Sequence, residues 1–141
     1  MAGYDRALYQ MYLAEIPMFS KCSPAQLDLI AQLGEADSVG DAVDVVKEGD
    51  AGDVFHVVVS GAAKVRRGGH DVATHGPGDY FGELALFDPA PRNATITSVG
   101  SLTCVVMSRA AFATALDEIP AVRDALLHGM AHRIHVLDQR V

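Results

Sequence analysis

FGELALFDPAPRNAT, running from Phe81 to Thr95, frames the reading of the whole chain. One acidic residue, Glu83, follows a glycine directly. Four apolar residues come next, then a turn bounded by Pro89 and Pro91, then a lone arginine, Arg92. Gly82 lets backbone approach a ligand with no Cβ in the way. Leu84 to Phe87 is long enough for one helical turn, whose N–H groups can point at an anion. Arg92 offers a planar, two-pronged, permanent positive charge suited to phosphate. An ionised Glu83 only accepts hydrogen bonds, so it suits a sugar hydroxyl rather than a phosphate. An acceptor and a cation nine residues apart ask for a small ligand carrying both groups.

A second motif lies upstream. Glu48-Gly49-Asp50-Ala51-Gly52-Asp53 precedes the apolar run Val54 to Val59, which ends in Ser60-Gly61. Together the two motifs resemble the cyclic nucleotide-binding domain family of catabolite activators and protein kinase A regulatory subunits. The first is similar to that family's E-G-D-x-G-D hairpin. The second is similar to its phosphate-binding cassette, F-G-E-[LI]-[AGS]-L, a variable turn, then R-[AST]-A-[TS]. Phe81, Gly82, Glu83, Leu84, Ala85, Leu86, Arg92, Ala94 and Thr95 match as they stand. The similarity runs from about Ile16 to about Arg133.

The resemblance implies a ligand-binding set of Gly82, Glu83, Leu84, Ala85, Arg92, Asn93 and Ala94. Within it, Glu83 and the Gly82 backbone hold the ribose 2′-hydroxyl. Arg92, with backbone N–H groups that include those of Ala85 and Asn93, holds the cyclic phosphate. Asn93 departs from the pattern, which usually has Ala, Ser or Thr there. Its side chain can donate and accept beside the phosphate, so cGMP stays open beside cAMP, the nucleotide the resemblance favours.

Outward from these motifs the texture is β. Short β-branched runs alternate with glycine turns at Val43 to Lys47, Val54 to Ser60, Ala62 to Arg67, Val72 to His75, Thr95 to Val99 and Leu102 to Met107. Gly68-Gly69 is a hairpin signal. This pattern predicts a sandwich or jelly-roll barrel over about 39–107. Helical flanks are expected over about 4–34 and 108–139. Apolar spacing from Leu8 to Ile16 is helical, and Pro17 ends that run. Ser23-Pro24-Ala25-Gln26 is a capping box with proline in first position, Leu27, Ile30 and Ala31 form a stripe, and Gly34 marks a stop. Ser108 is an N-cap, and Pro120 opens the last helix. On that helix Leu126, Leu127, Met130, Ile134 and Leu137 cluster on one face, opposite His128, His132 and His135. The fold class expected is α+β: one domain over 1–141, a jelly roll with N-terminal helices and a C-terminal helical lid.

The 141 residues suffice for one sizeable core. Half are hydrophobic and mean hydropathy is +0.18, which argues for a compact fold. A net charge of −7 disfavours a nucleic-acid surface. Only eight residues follow Arg133, so the helix-turn-helix that follows this domain in catabolite activators is not expected here. Cys22 and Cys104 make no zinc pattern and read as small core hydrophobes in a reducing compartment. With neither a signal peptide nor an 18-residue apolar run, a cytoplasmic protein free of the membrane is expected.

Other chemistries fit less well. His128 and His132 have metal-ligand spacing, but no HExxH accompanies them. Cupins share the jelly roll, yet their H-x-H pair is missing and His70, His75 and Glu83 are wrongly spaced. The D-x-D-x-D-G calcium loop is absent around Glu48, Asp50 and Asp53, and hairpin turns account for those Gly-Asp pairs. Asn93-Ala94-Thr95 matches a glycosylation sequon without a secretory signal. No nucleophile–base pattern stands out, so no enzyme, metal or cofactor is expected. The reading is a non-catalytic sensor of a 3′,5′-cyclic nucleotide, in which ligand draws the cassette inward and the helices after Ser108 close over it. The alternative is a protein-interaction module of the same fold that no longer binds nucleotide and dimerises, or docks on an effector, through the C-terminal helix.

Overall fold

The computed structural model describes residues 6–82 and 91–138. In order, the elements are helix α1 (Arg6–Glu15), a 3-10 turn (Pro17–Phe19), α2 (Pro24–Leu33), strands β1 (Glu35–Val39), β2 (Asp44–Val46), β3 (Val54–Arg67), β4 (His70–His75), β5 (Tyr80–Phe81) and β6 (Thr95–Ser108), then α3 (Arg109–Glu118) and α4 (Pro120–Asp138). The short cassette helix expected after Glu83 falls outside the described residues.

Local chemistry sets the helix boundaries. Ser23 accepts from the Gln26 N–H at 3.2 Å, and the Gln26 side chain accepts from the Ser23 N–H at 2.8 Å. This reciprocal pair satisfies two donors that the first turn of α2 would otherwise leave open. Ser108 caps α3 with a single bond, accepting from the Ala111 N–H at 3.1 Å.

The sheet is antiparallel and built on two 14-residue strands. β3 pairs with β6 from Val54↔Ser108 to Arg66↔Thr95. β1 and β2 join β6 on its other side, while β4 and β5 join β3. The sequence divides each long strand in two at Gly61 and Gly100. In the structure each runs through its glycine with positive φ. Gly61 lies so close to the Ser101 carbonyl that a Cβ there would overlap it. The register shifts on either side of Ser60, so the glycine bends one strand rather than ending it.

Side chains alternate across β3 and divide the core in two. Phe55 and Val57 point toward the helices, where they meet Leu13, Ile16, Ile30, Phe112, Ile119 and Val122. The Phe55 ring lies 4.8 Å from Phe112. Val58 points the other way, into a second cluster with Val46, Phe81, Ala94, Ile96, Leu102 and Cys104. The helices thus brace one face of the sheet, and the sequence motifs line the other.

β1 and β5 lie outside the predicted strands. β1 reads EADSV and is mostly exposed, so no apolar alternation marks it. It is held by its ladder to β6 and by a 2.9 Å bond between the Ser38 and Thr103 hydroxyls. On α4 the expected pairing of Leu126 with Leu127 on one face does not hold. Leu126 is 5% exposed and belongs to the core, whereas Leu127 is 58% exposed. Neighbours on a helix sit about 100° apart, so a single buried stripe excludes one of them. The side chains of Met130, His132, Ile134, His135 and Leu137 lie outside the described residues. No described helix is long and apolar enough to cross a membrane.

Candidate functional site

Arg92 stands where the two sequence motifs meet. Its backbone is tied to the loop between β2 and β3: the Arg92 N–H donates to the Asp50 carbonyl and the Gly49 N–H donates to the Arg92 carbonyl, both at 2.8 Å. Gly49 takes φ +88 to make this turn. Further along, the Glu48 N–H donates to Thr95 Oγ1 at 3.0 Å. Glu48 Oε1 accepts from the Gly68 N–H at 3.0 Å, and Arg67 Nε donates to the Asn93 carbonyl at 3.1 Å. The residues that open β6 are therefore latched to the E-G-D loop and to the β3–β4 hairpin.

The guanidinium is as tightly defined as the backbone. Nη2 donates to the Val54 carbonyl at 2.9 Å. A Cβ on Gly52 would overlap Arg92 Nε and would sit 2.7 Å from Nη2 and 2.8 Å from Cζ. On the other side, a Cβ on Gly82 would sit 2.9 Å from Nη1 and 2.5 Å from the Val54 carbonyl. One glycine from each motif thus flanks the planar fork, because only glycine leaves the space it occupies. Gly82 also has φ +92, which L side chains rarely adopt. The Val54 carbonyl orients the fork, and arginine keeps its charge at any relevant pH.

The wall beside this arginine is aromatic. Phe81 is stacked between two histidines, with His56 at 4.6 Å and 13° and His75 at 5.4 Å and 16°. His75 Nδ1 lies 3.8 Å from Asp79 Oδ2. His56 is 8% exposed, and its Nδ1 is buried with no hydrogen-bond partner among the described residues. Burial lowers the His56 pKa to about 4, and the positive charge of Arg92 pushes it the same way. Asp37 acts in the opposite sense, as does the Val54 carbonyl, which lies near the ring without completing a bond to Nδ1. His56 is neutral at pH 7.

Of the residues picked from sequence, the structure brings Gly82 and Arg92 into contact. Ala94 is buried in the inner cluster behind them, and Asn93 is exposed beside them. Glu83, Leu84 and Ala85 lie outside the described residues. Sequence reasoning missed Gly52, the Val54 carbonyl and His56. All three belong to or follow the E-G-D motif, and nothing in that pattern marks the contact of Gly52 and the Val54 carbonyl with a residue about forty positions on. Among the described residues, no group of three His, Cys, Asp or Glu side chains could hold a metal ion.

The model of the cyclic nucleotide-binding domain matches residues 43–118, more than half of the chain and all of the site. The chain belongs to the cyclic nucleotide-binding domain family. A cGMP-dependent protein kinase of Toxoplasma gondii is 39% identical over 100 residues, which are 71% of this chain and 10% of that protein. A cAMP-dependent protein kinase regulatory subunit of Mycosarcoma maydis is 36% identical over 126 residues, covering 83% of this chain and 24% of that one. Among solved structures, the catabolite activator protein of Thermus thermophilus superposes with a TM-score of 0.81 at 26% identity, over 88% of this chain and 61% of that chain. The chain thus spans about a tenth to a quarter of the length of these two curated relatives. The fold is the α+β one of this family, an antiparallel sheet with C-terminal helices, and such domains bind cyclic nucleotides without catalysing a reaction.

Proposed function

We propose that this chain binds a 3′,5′-cyclic nucleotide, with cAMP favoured over cGMP, and serves as a regulatory sensor. The observation that carries the reading is the position of Arg92, a fixed cation held between Gly52 and Gly82 at the junction of both motifs. A fork immobilised in this way loses little entropy when it takes up a phosphate. Arg92 then holds the cyclic phosphate, with backbone donors from Ala85 and Asn93. Glu83 and the Gly82 backbone hold the ribose, and Leu84 and Ala94 complete the pocket. The roles of Glu83, Leu84 and Ala85 rest on the cassette pattern alone. The preference for cAMP rests on the regulatory subunit among the relatives, and the cGMP-dependent kinase among them keeps cGMP as the alternative.

Titration calorimetry of the wild-type chain and of Arg92→Ala with cAMP tests the assignment. Removing one partner of a buried ionic contact costs about 2–5 kcal/mol of binding. The variant should therefore bind at least thirtyfold more weakly. Equal affinity of the two proteins would refute the role of Arg92.

A further inference from the structure

His56 stands in the aromatic wall beside Arg92. It is buried, on the face of β3 that looks at Phe81, and Phe81 is followed directly by Gly82, which touches the Arg92 fork. Val54, two residues earlier on the same strand face, supplies the carbonyl that Arg92 grips. The imidazole is thus joined to Arg92 by two short routes, one through the Phe81 stack and one along the strand. Its Nδ1 atom is the polar group the inner wall leaves without a partner among the described residues. A buried nitrogen left unsatisfied costs stability, and taking up a proton would give it a charge to be compensated by a bound anion.

We infer that anion binding at Arg92 and proton uptake at His56 promote each other. The inference rests on the reading of Arg92 as the phosphate-binding residue. Its physics is local. Arg92 disfavours a second positive charge nearby, and a bound phosphate cancels that field, so the imidazolium becomes easier to form. By linkage the proton must then favour the anion by the same factor.

Among the described residues, the other groups facing His56 do not cancel the effect. Asp37 on β1 favours the proton in both states. Cys104 on β6 is held as a neutral thiol by burial, with its pKa raised to about 12. His75 on β4 lies across Phe81 and has Asp79 beside it. If the phosphate raises the His56 pKa by about one unit from about 4, affinity at pH 5 exceeds that at pH 7 by about twofold.

The test is NMR titration of the His56 ring nitrogens in the wild-type chain, with and without saturating cAMP, and in Arg92→Gln without ligand. Both cAMP and Arg92→Gln should raise the His56 pKa. In calorimetry, His56→Phe, which keeps a ring on Phe81, should lose the twofold gain between pH 7 and pH 5. Three results would overturn the inference: a His56 pKa unmoved by cAMP while other resonances show binding, one unmoved by Arg92→Gln, or an unchanged pH dependence in His56→Phe. If cAMP moves no resonance at all, the functional reading itself fails and takes the linkage with it. The variant arm then reports only on the coupling of Arg92 to His56.

Discussion

Gly52→Ala is the smallest change that should disturb the site, and its effect can be worked from the structure. Gly52 does not have positive φ, so alanine meets no backbone strain there. The added methyl instead overlaps Arg92 Nε and comes within 2.8 Å of Cζ. The fork must move away from the new methyl, although Nη2 is held by the Val54 carbonyl. Arg92 must leave, and the 2.9 Å bond to Val54 goes with it. A hydrogen bond from a charged donor contributes about 1.5–3 kcal/mol, and overpacking costs about 1–3 kcal/mol, with only one of the two paid in full once the fork has moved. A loss of about 2 kcal/mol follows, readable in urea unfolding. The decisive control is Arg92→Ala, which removes the obstacle, so Gly52→Ala should cost less than about 0.5 kcal/mol in that background. An equal cost in both backgrounds would refute the steric argument, as would a single variant as stable as wild type.

Two further predictions concern other parts of the molecule. Ser23→Ala removes one half of the reciprocal cap on α2 and should lower stability by about 1 kcal/mol, seen in the same unfolding assay. His56 titrates at about 4 when folded, against 6.5 for a free imidazole, so the unfolded chain binds the extra proton between those values. Stability should therefore fall as pH drops from about 6.5 toward 4, by a contribution on the order of 2 kcal/mol at pH 5. His56→Phe should flatten that part of the profile, and a profile unchanged by the substitution would count against the buried neutral ring.

Features decided within a few residues were legible in the sequence. The capping box at Ser23 and Gln26, the N-cap at Ser108 and the helix start at Pro120 all appear where expected, because each depends on neighbouring side chains and backbone. Features decided across the sheet were not. β1 is polar and exists through its partner β6. β5 has two residues, too few for any period, and forms because His56 and Val57 present an open ladder. Gly61 and Gly100 looked like strand ends, although a glycine with positive φ can equally bend a strand. At the site, Arg92 and Gly82 were readable as residue types suited to phosphate. The contact of Gly52 with Arg92 was not, since only closure of the β3–β6 pair brings the two motifs together.

Thermal unfolding with cAMP, cGMP and non-cyclic AMP, across micromolar to millimolar concentrations, tests the central claim most directly. A ligand at a hundred times its dissociation constant adds about 2.7 kcal/mol of stability. The account predicts a raised midpoint with a cyclic nucleotide, larger for cAMP than for cGMP, and none with AMP. An unchanged midpoint with all three at millimolar concentration would contradict it.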